Sequence, residues 1–233
     1  MLVDDSLKKQ RFSGRRSYCL VCEARATLAR PLCQRCLDSL PYHTAAQCPV
    51  CALPLPYRGL CGQCQQFAPP YVATLALFRY VDLVPWLIKR VKFSHDLVAA
   101  RLLGQLLAEA VVQREPTMRP DRIIPVPLHP SRLRQRGFNQ SVELGRPIAA
   151  ALGIPLDIKS SERIAATQEQ AQLTARERHH NLRGAFRITH PLVGQRVVLL
   201  DDVMTTGTTL NELAQAVLRA GAASVALWVC ARA

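Results

Sequence analysis

The sequence predicts an α/β protein in which a parallel-sheet domain follows a small metal-nucleated module. Three observations carry this. Eight of the nine cysteines fall in four Cys-x-x-Cys pairs, all before residue 65. From Tyr71 onward, short β-branched runs alternate with longer helical patterns, as in a sheet whose strands are joined by helices. The run Val197–Leu200 reads as a strand buried on both faces, and it leads directly into two carboxylates, a hydroxyl-rich loop and a helix.

In the N-terminal segment the pairs are Cys19/Cys22, Cys33/Cys36, Cys48/Cys51 and Cys61/Cys64. Each pair is a knuckle that can place two sulfurs on one metal, and two knuckles complete a tetrahedral site. Zinc is the metal that favours four thiolates without redox chemistry, so two structural Zn²⁺ are expected. Sequential pairing gives two ribbons in tandem; interleaved pairing satisfies the spacing as well. Few large apolar residues lie here, so metal supplies much of the folding free energy. The expected boundaries are a flexible N-terminus at 1–17, a double ribbon at 18–67, a stiff linker at 68–71 containing Ala68-Pro69-Pro70, and the larger domain at 72–233. Cys230, in an apolar run, is expected to be an inert core residue.

Along the larger domain, Tyr71–Tyr80 reads as a strand. Val84–Phe93 reads as a short helix with Lys89, Arg90 and Lys92 on its wet side, and Asp96–Glu115 as a longer one. The strand Arg122–Val126 ends in prolines that mark the carboxyl edge of the sheet, where open α/β folds bind ligands. A basic stretch follows, with Arg132, Arg134 and Arg136 beside Gly137, and Asn139 or Ser141 caps the helix running to about Leu152. The arginines favour an anion-binding loop over a solvated turn. The polar segment 162–187 reads either as a helical pair or as a flap; His179 and His180 within it are expected at the surface.

The densest signal is Val197-Val-Leu-Leu-Asp201-Asp202-Val-Met204-Thr205-Thr206-Gly207-Thr208-Thr209-Leu210. Strand, tight loop and helix N-terminus form a phosphate-binding arrangement: backbone N–H groups face the anion, and Gly207 lets the chain approach closely. The helix buries Leu210, Leu213, Val217 and Leu218 and stops at Gly221. Asp201 and Asp202, at the carboxyl end of the strand, can accept hydrogen bonds from a sugar diol.

These fourteen residues resemble the phosphoribosyl-pyrophosphate (PRPP) motif of type I phosphoribosyltransferases. Together with the four knuckles, the stretch Arg134-Gln-Arg136-Gly-Phe-Asn-Gln140, and Gln170, Leu173, Arg178, Asn181 and Ala185-Phe186, the chain resembles the ComF/GntX family over about residues 18–233. The resemblance implies a type I phosphoribosyltransferase-like domain behind a zinc-ribbon module. It implies that Asp201 and Asp202 hold the ribose hydroxyls and that residues 204–209 cradle the 5′-phosphate. It also implies Mg²⁺ accompanying PRPP. Arg132, Arg134, Arg136, Gln140 and Arg178 would contact pyrophosphate or nucleic acid, and the 170–181 segment would close as a lid. The family link is to natural competence, which makes single-stranded DNA and DNA-uptake proteins the expected partners. Enzymes acting on 6-oxopurines carry an aspartate where this chain has Thr205, which argues against such a base and leaves the acceptor unnamed.

Composition sets the outer bounds. Hydrophobic residues make up 49% of the 233, enough for a sizeable core, and no apolar run reaches the roughly 18 residues of a membrane span. The N-terminus has no basic-then-apolar leader pattern, so a cytoplasmic protein is expected. The formal charge is +13; ligation of two Zn²⁺ by eight thiolates removes four of these charges and leaves the chain basic. Two classes of function stay open. One is a phosphoribosyltransferase of unknown acceptor in nucleotide or nucleic-acid metabolism. The other is a non-catalytic protein that grips single strands and uses the pocket for a 5′-phosphate or as a PRPP sensor. Aromatic residues, at 6%, give a stacking platform little support.

Overall fold

The computed structural model describes residues 17–27, 30–114, 119–165 and 184–233. Packing divides the chain into two compact units, Met1–Leu40 and Pro41–Ala233. The first carries the antiparallel pair β1 (Ser17–Tyr18) and β2 (Arg25–Ala26) and the short helix α1 (Gln34–Asp38). Leu32, Leu37 and Leu40 are its buried aliphatic residues among those described.

The second unit begins with the other half of the cysteine-rich segment, including α2 (Gly62–Gln66). Cys48, Cys51, Ala52 and Cys61 are buried in one cluster with Tyr71, Met204 and Leu210 of the larger domain. The packing boundary therefore falls inside the segment 18–67 that the sequence groups as one module. The stretch expected as a linker, 68–71, ends on Tyr71, which is buried. Residues 1–16, expected to fray, lie outside the described residues.

The larger unit is built on a four-stranded sheet in the order β3-β8-β7-β4, every neighbouring pair parallel. Its strands are β3 (Thr74–Arg79), β4 (Arg122–Pro125), β7 (Arg196–Met204) and β8 (Ser224–Arg232). β7 and β8 lie at the centre, and their aliphatic runs are buried nearly throughout, as a parallel sheet covered on both faces requires. Cys230, in β8, is fully buried, and burial pushes its thiol up.

Helices α3 (Leu83–Ser94) and α4 (Leu97–Gln113) connect β3 to β4. One residue fixes the turn between them. Asp96 accepts from the Ala99 amide at 2.9 Å as the α4 cap and pairs with Arg90 of α3 at 2.6 Å. Helix α4 packs on α6 (Gln140–Leu152). They approach closely at Gly104, where a Cβ would lie 2.6 Å from the Leu144 carbonyl oxygen. A short hairpin-like pair, β5 (Ser161–Arg163) with β6 (Phe186–Ile188), flanks the segment 166–183. That segment lies outside the described residues, and with it the helical-pair or flap reading, Gln170, Leu173, Arg178, His179, His180 and Asn181. No helix among the described residues is long and apolar enough to cross a membrane.

Candidate functional site

At the carboxyl end of β7 the backbone delivers Asp201 and Asp202 side by side, both buried. Asp201 Oδ1 accepts the Ser141 hydroxyl at 3.0 Å and the Asp202 amide at 2.9 Å. Asp202 Oδ1 accepts the Val203 amide at 2.9 Å, and Lys92 Nζ lies 2.7 Å from its Oδ2. Burial and then the neighbouring Asp202 charge raise Asp201 to about 7, against the lowering effect of Lys92.

The loop that follows turns through Gly207 at φ +77° into α7 (Thr208–Arg219). A Cβ at Gly207 would sit 2.7 Å from Met204 Cε, a flexible side-chain end that can shift, so the positive φ is what favours glycine in this turn. Thr205 and Thr206 are exposed, and the Thr206 and Thr208 hydroxyls lie 2.8 Å apart. The first N–H groups of a helix have no partner within it. Here they lie beside these hydroxyls at the carboxyl edge of the sheet, a fitting cradle for a phosphate dianion. The Met204 side chain is buried, so that residue offers a ligand only its backbone. Thr209 is half-buried in the first turn of α7.

The basic stretch is not the loop expected. It forms helix α5 (Pro130–Arg136), because Pro130 suits the first turn, His129 caps it from Nδ1, and Gly137 stops it at φ +74°. Arg134 is exposed, Arg132 half-buried and Arg136 buried. Arg136 Nη1 donates to Gln140 Oε1 at 2.6 Å, and its guanidinium lies 5.9 Å from the centre of the Phe93 ring. Two residues assigned to the anion therefore hold each other. Asn139, not Ser141, caps α6: its Oδ1 accepts the Ser141 amide at 2.9 Å while its Nδ2 donates to the Val126 carbonyl. Ser141 is thereby free to hold Asp201.

Lys92 is a correction to the expected wet face of α3. Its signal lies in helical spacing: it follows the buried Ile88 by four residues and so borders the apolar stripe. The turn after it brings His95 to 5.7 Å from Phe138, ring centre to ring centre.

The cysteines resolve into Cys19/Cys22/Cys33/Cys36 and Cys48/Cys51/Cys61/Cys64, the sequential pairing, with the Sγ atoms of each group within 4.8 Å of one another. The Sγ separation is 3.5 Å for Cys22–Cys33 and 3.6 Å for Cys51–Cys61. Four thiolates bonded to one zinc at about 2.3 Å stand about 3.8 Å apart, whereas a disulfide brings sulfurs to about 2 Å. The donor sets fit a tetrahedral metal.

A parallel sheet with an acidic strand end, a glycine loop and a helix N-terminus, behind two Cys₄ clusters, defines a phosphoribosyltransferase-like domain with a cysteine-ribbon module. Residues 139–233 match the family model for the phosphoribosyl transferase domain, and residues 15–65 that for the double zinc ribbon domain. The chain is 38% identical over 219 residues to the DNA utilization protein YhgH of Salmonella typhimurium, covering 92% of this chain and 96% of that one. It is 34% identical over 208 residues to competence protein F of Haemophilus influenzae, covering 86% and 89%. Among solved structures, a purine phosphoribosyltransferase from Pyrococcus horikoshii aligns at 20% identity over 69% of this chain and 88% of that one, with a TM-score of 0.33. The chain belongs to the ComF/GntX family.

Proposed function

We propose that this protein binds PRPP or another ribose 5-phosphate ligand and acts in nucleotide or nucleic-acid metabolism linked to DNA uptake. One observation carries the reading: two buried, adjacent carboxylates at the end of the central strand open onto a glycine turn and a helix N-terminus. Asp201 and Asp202 accept the ribose hydroxyls, and the 204–209 backbone and hydroxyls take the 5′-phosphate. Arg134, exposed at the end of α5, reaches toward pyrophosphate, while Arg136 and Gln140 hold each other. Mg²⁺ enters with PRPP, since carboxylates are hard oxygen donors suited to it, and when bound it neutralises the leaving pyrophosphate. The names of the relatives, DNA utilization and competence proteins, support the link to DNA uptake. Single-stranded DNA and DNA-uptake proteins are the partners that link would supply.

Calorimetric titration with PRPP and Mg²⁺ tests the pocket, and a screen for pyrophosphate release across nitrogen acceptors tests turnover. A folded protein that binds neither PRPP nor ribose 5-phosphate refutes the proposal. A second reading, in which the pocket holds the 5′-phosphate of a single strand or senses PRPP without turnover, draws support from the net charge of +13. Binding without pyrophosphate release from any acceptor selects it.

A further inference from the structure

The larger unit holds a buried cation that the pocket chemistry does not use. Arg232 closes β8, a strand otherwise apolar in its second half, and is buried. Its Nε donates to the Cys51 carbonyl at 3.0 Å. Its Nη1 donates to the carbonyls of Met204 at 3.1 Å, Thr205 at 2.5 Å and Ala233. One planar fork thus spans from a metal-binding knuckle to the first two residues of the phosphate loop. Cys51 is a member of the second Cys₄ centre, and its knuckle is closed by the Ala52 amide donating to the Cys48 carbonyl at 2.9 Å. A second tie runs from the Thr74 hydroxyl of β3 to the Val50 carbonyl at 2.6 Å. The knuckle's outward carbonyls are therefore taken up by the sheet that carries the site.

A metal bound to Cys51 Sγ restricts the Cys51 backbone, and the direction of its carbonyl follows. The guanidinium cannot turn about that carbonyl without changing its hold on Met204 and Thr205. Those two residues set where the Gly207 turn and the α7 N-terminus stand. Lysine could not substitute fully, because an ammonium lacks the rigid fork.

We propose that Arg232 is a positioning residue that couples the second Cys₄ centre to the phosphate loop. Metal at Cys48, Cys51, Cys61 and Cys64 raises the affinity for a phosphorylated ribose, and bound ligand in turn raises metal affinity by the same factor, as linkage requires. The ligand half of this statement rests on the ribose-phosphate reading above; the metal-to-loop half does not.

The experiment uses the full chain carrying C22S and C36S, in which the second centre is the intact one, with Arg232, R232K and R232M compared. Amide hydrogen exchange over 203–210 is measured with zinc bound and after chelation, with 196–200 as the internal control. With Arg232, chelation should speed exchange over 203–210 at least fivefold while 196–200 changes little. R232M should exchange fast in both states, and R232K should fall between. Loop exchange indifferent to zinc in the Arg232 chain, or equally zinc-sensitive in R232M, overturns the coupling. Zinc affinity is then measured by chelator competition with and without saturating ribose 5-phosphate. It should rise at least threefold with ligand in the Arg232 chain and not in R232M; an equal rise in both overturns the proposal. If calorimetry finds no ribose 5-phosphate binding to the zinc-loaded chain, the pocket reading fails, and the exchange measurement still decides Arg232. Should R232M not fold, R232K decides by the same comparisons.

Discussion

Replacing Lys92 by methionine tests the electrostatics of the acidic pair without touching either carboxylate. The wild-type ammonium is 2.7 Å from Asp202 Oδ2, with 23% of the Lys92 side chain and 6% of the Asp202 side chain exposed. Removing one partner of a buried pair costs roughly 3–5 kcal/mol, because the other charge stays buried alone. The partial exposure of Lys92 lowers this to about 2–3 kcal/mol. At about 2–4 °C per kcal/mol for a domain of this size, the variant should melt about 5–10 °C below wild type near neutrality. The pH dependence separates this from lost packing. Asp201 stands at about 7 in the folded chain, above its ordinary carboxylate value. The folded state therefore binds that proton more tightly than the unfolded state, and this group's contribution to stability falls as pH rises from about 4 to 7, by at most about 1.4 kcal/mol per pH unit. Without Lys92, Asp201 shifts further up. The gap between wild type and Lys92→Met should then widen between pH 6 and pH 8.5, and Lys92→Arg should close most of it. Calorimetric melting at the two pH values is the assay. A gap that is constant or narrows with pH refutes the electrostatic account.

Three further outcomes are expected. Asp201→Asn with Asp202→Asn should weaken PRPP at least about tenfold in calorimetry, since a charge-assisted hydrogen bond contributes roughly 1.5–3 kcal/mol; unchanged affinity in a folded variant would remove the phosphoribosyl reading. Elemental analysis should find two zinc per chain, and the centres should differ in effect. Cys22→Ser with Cys36→Ser should spare the larger unit, whereas Cys51→Ser should lower its melting temperature because Cys51 lies in that unit's core; equal effects would contradict the packing. Gly207→Ala should destabilise by about 1–3 kcal/mol, from the positive φ, and should weaken phosphate binding, read by melting and titration together.

What the sequence revealed and what it hid follow one physical line. The strand, glycine turn and helix over 196–219 are legible in the sequence because strand, acids, glycine and helix are contiguous, so their geometry is local. The contacts that tune it are not. Ser141 reaches Asp201 across 60 positions and Arg232 reaches Cys51 across 181, and no periodicity reports such pairings. The charge of Lys92 points to solvent, whereas its place four residues after Ile88 sets it at the border of the apolar stripe, within reach of Asp202. Arg134, Arg136 and Gly137 read as a loop, whereas Pro130 starts a helix and Gly137 ends it. Composition groups all four knuckles together, and it carries no sign that Cys48, Cys51 and Cys61 are buried beside Tyr71 and Met204.

The strand order has a consequence for biosynthesis. β8 follows the other three strands of the sheet in the chain, yet it lies between β3 and β7. As the polypeptide leaves the ribosome, β3 emerges early and, among the described residues, has no partner but the Tyr42 bridge until β8 is made. Both strands that β8 will separate present bare apolar edges over that interval, which are templates for aggregation. Limited proteolysis of chains stalled before Ser224 should cut freely across Thr74–Arg79, and extension through Arg232 should protect it. The nascent chain thus spends most of its translation without its central sheet complete, and the same nine residues that join the sheet deliver the guanidinium that bonds the Met204 and Thr205 carbonyls.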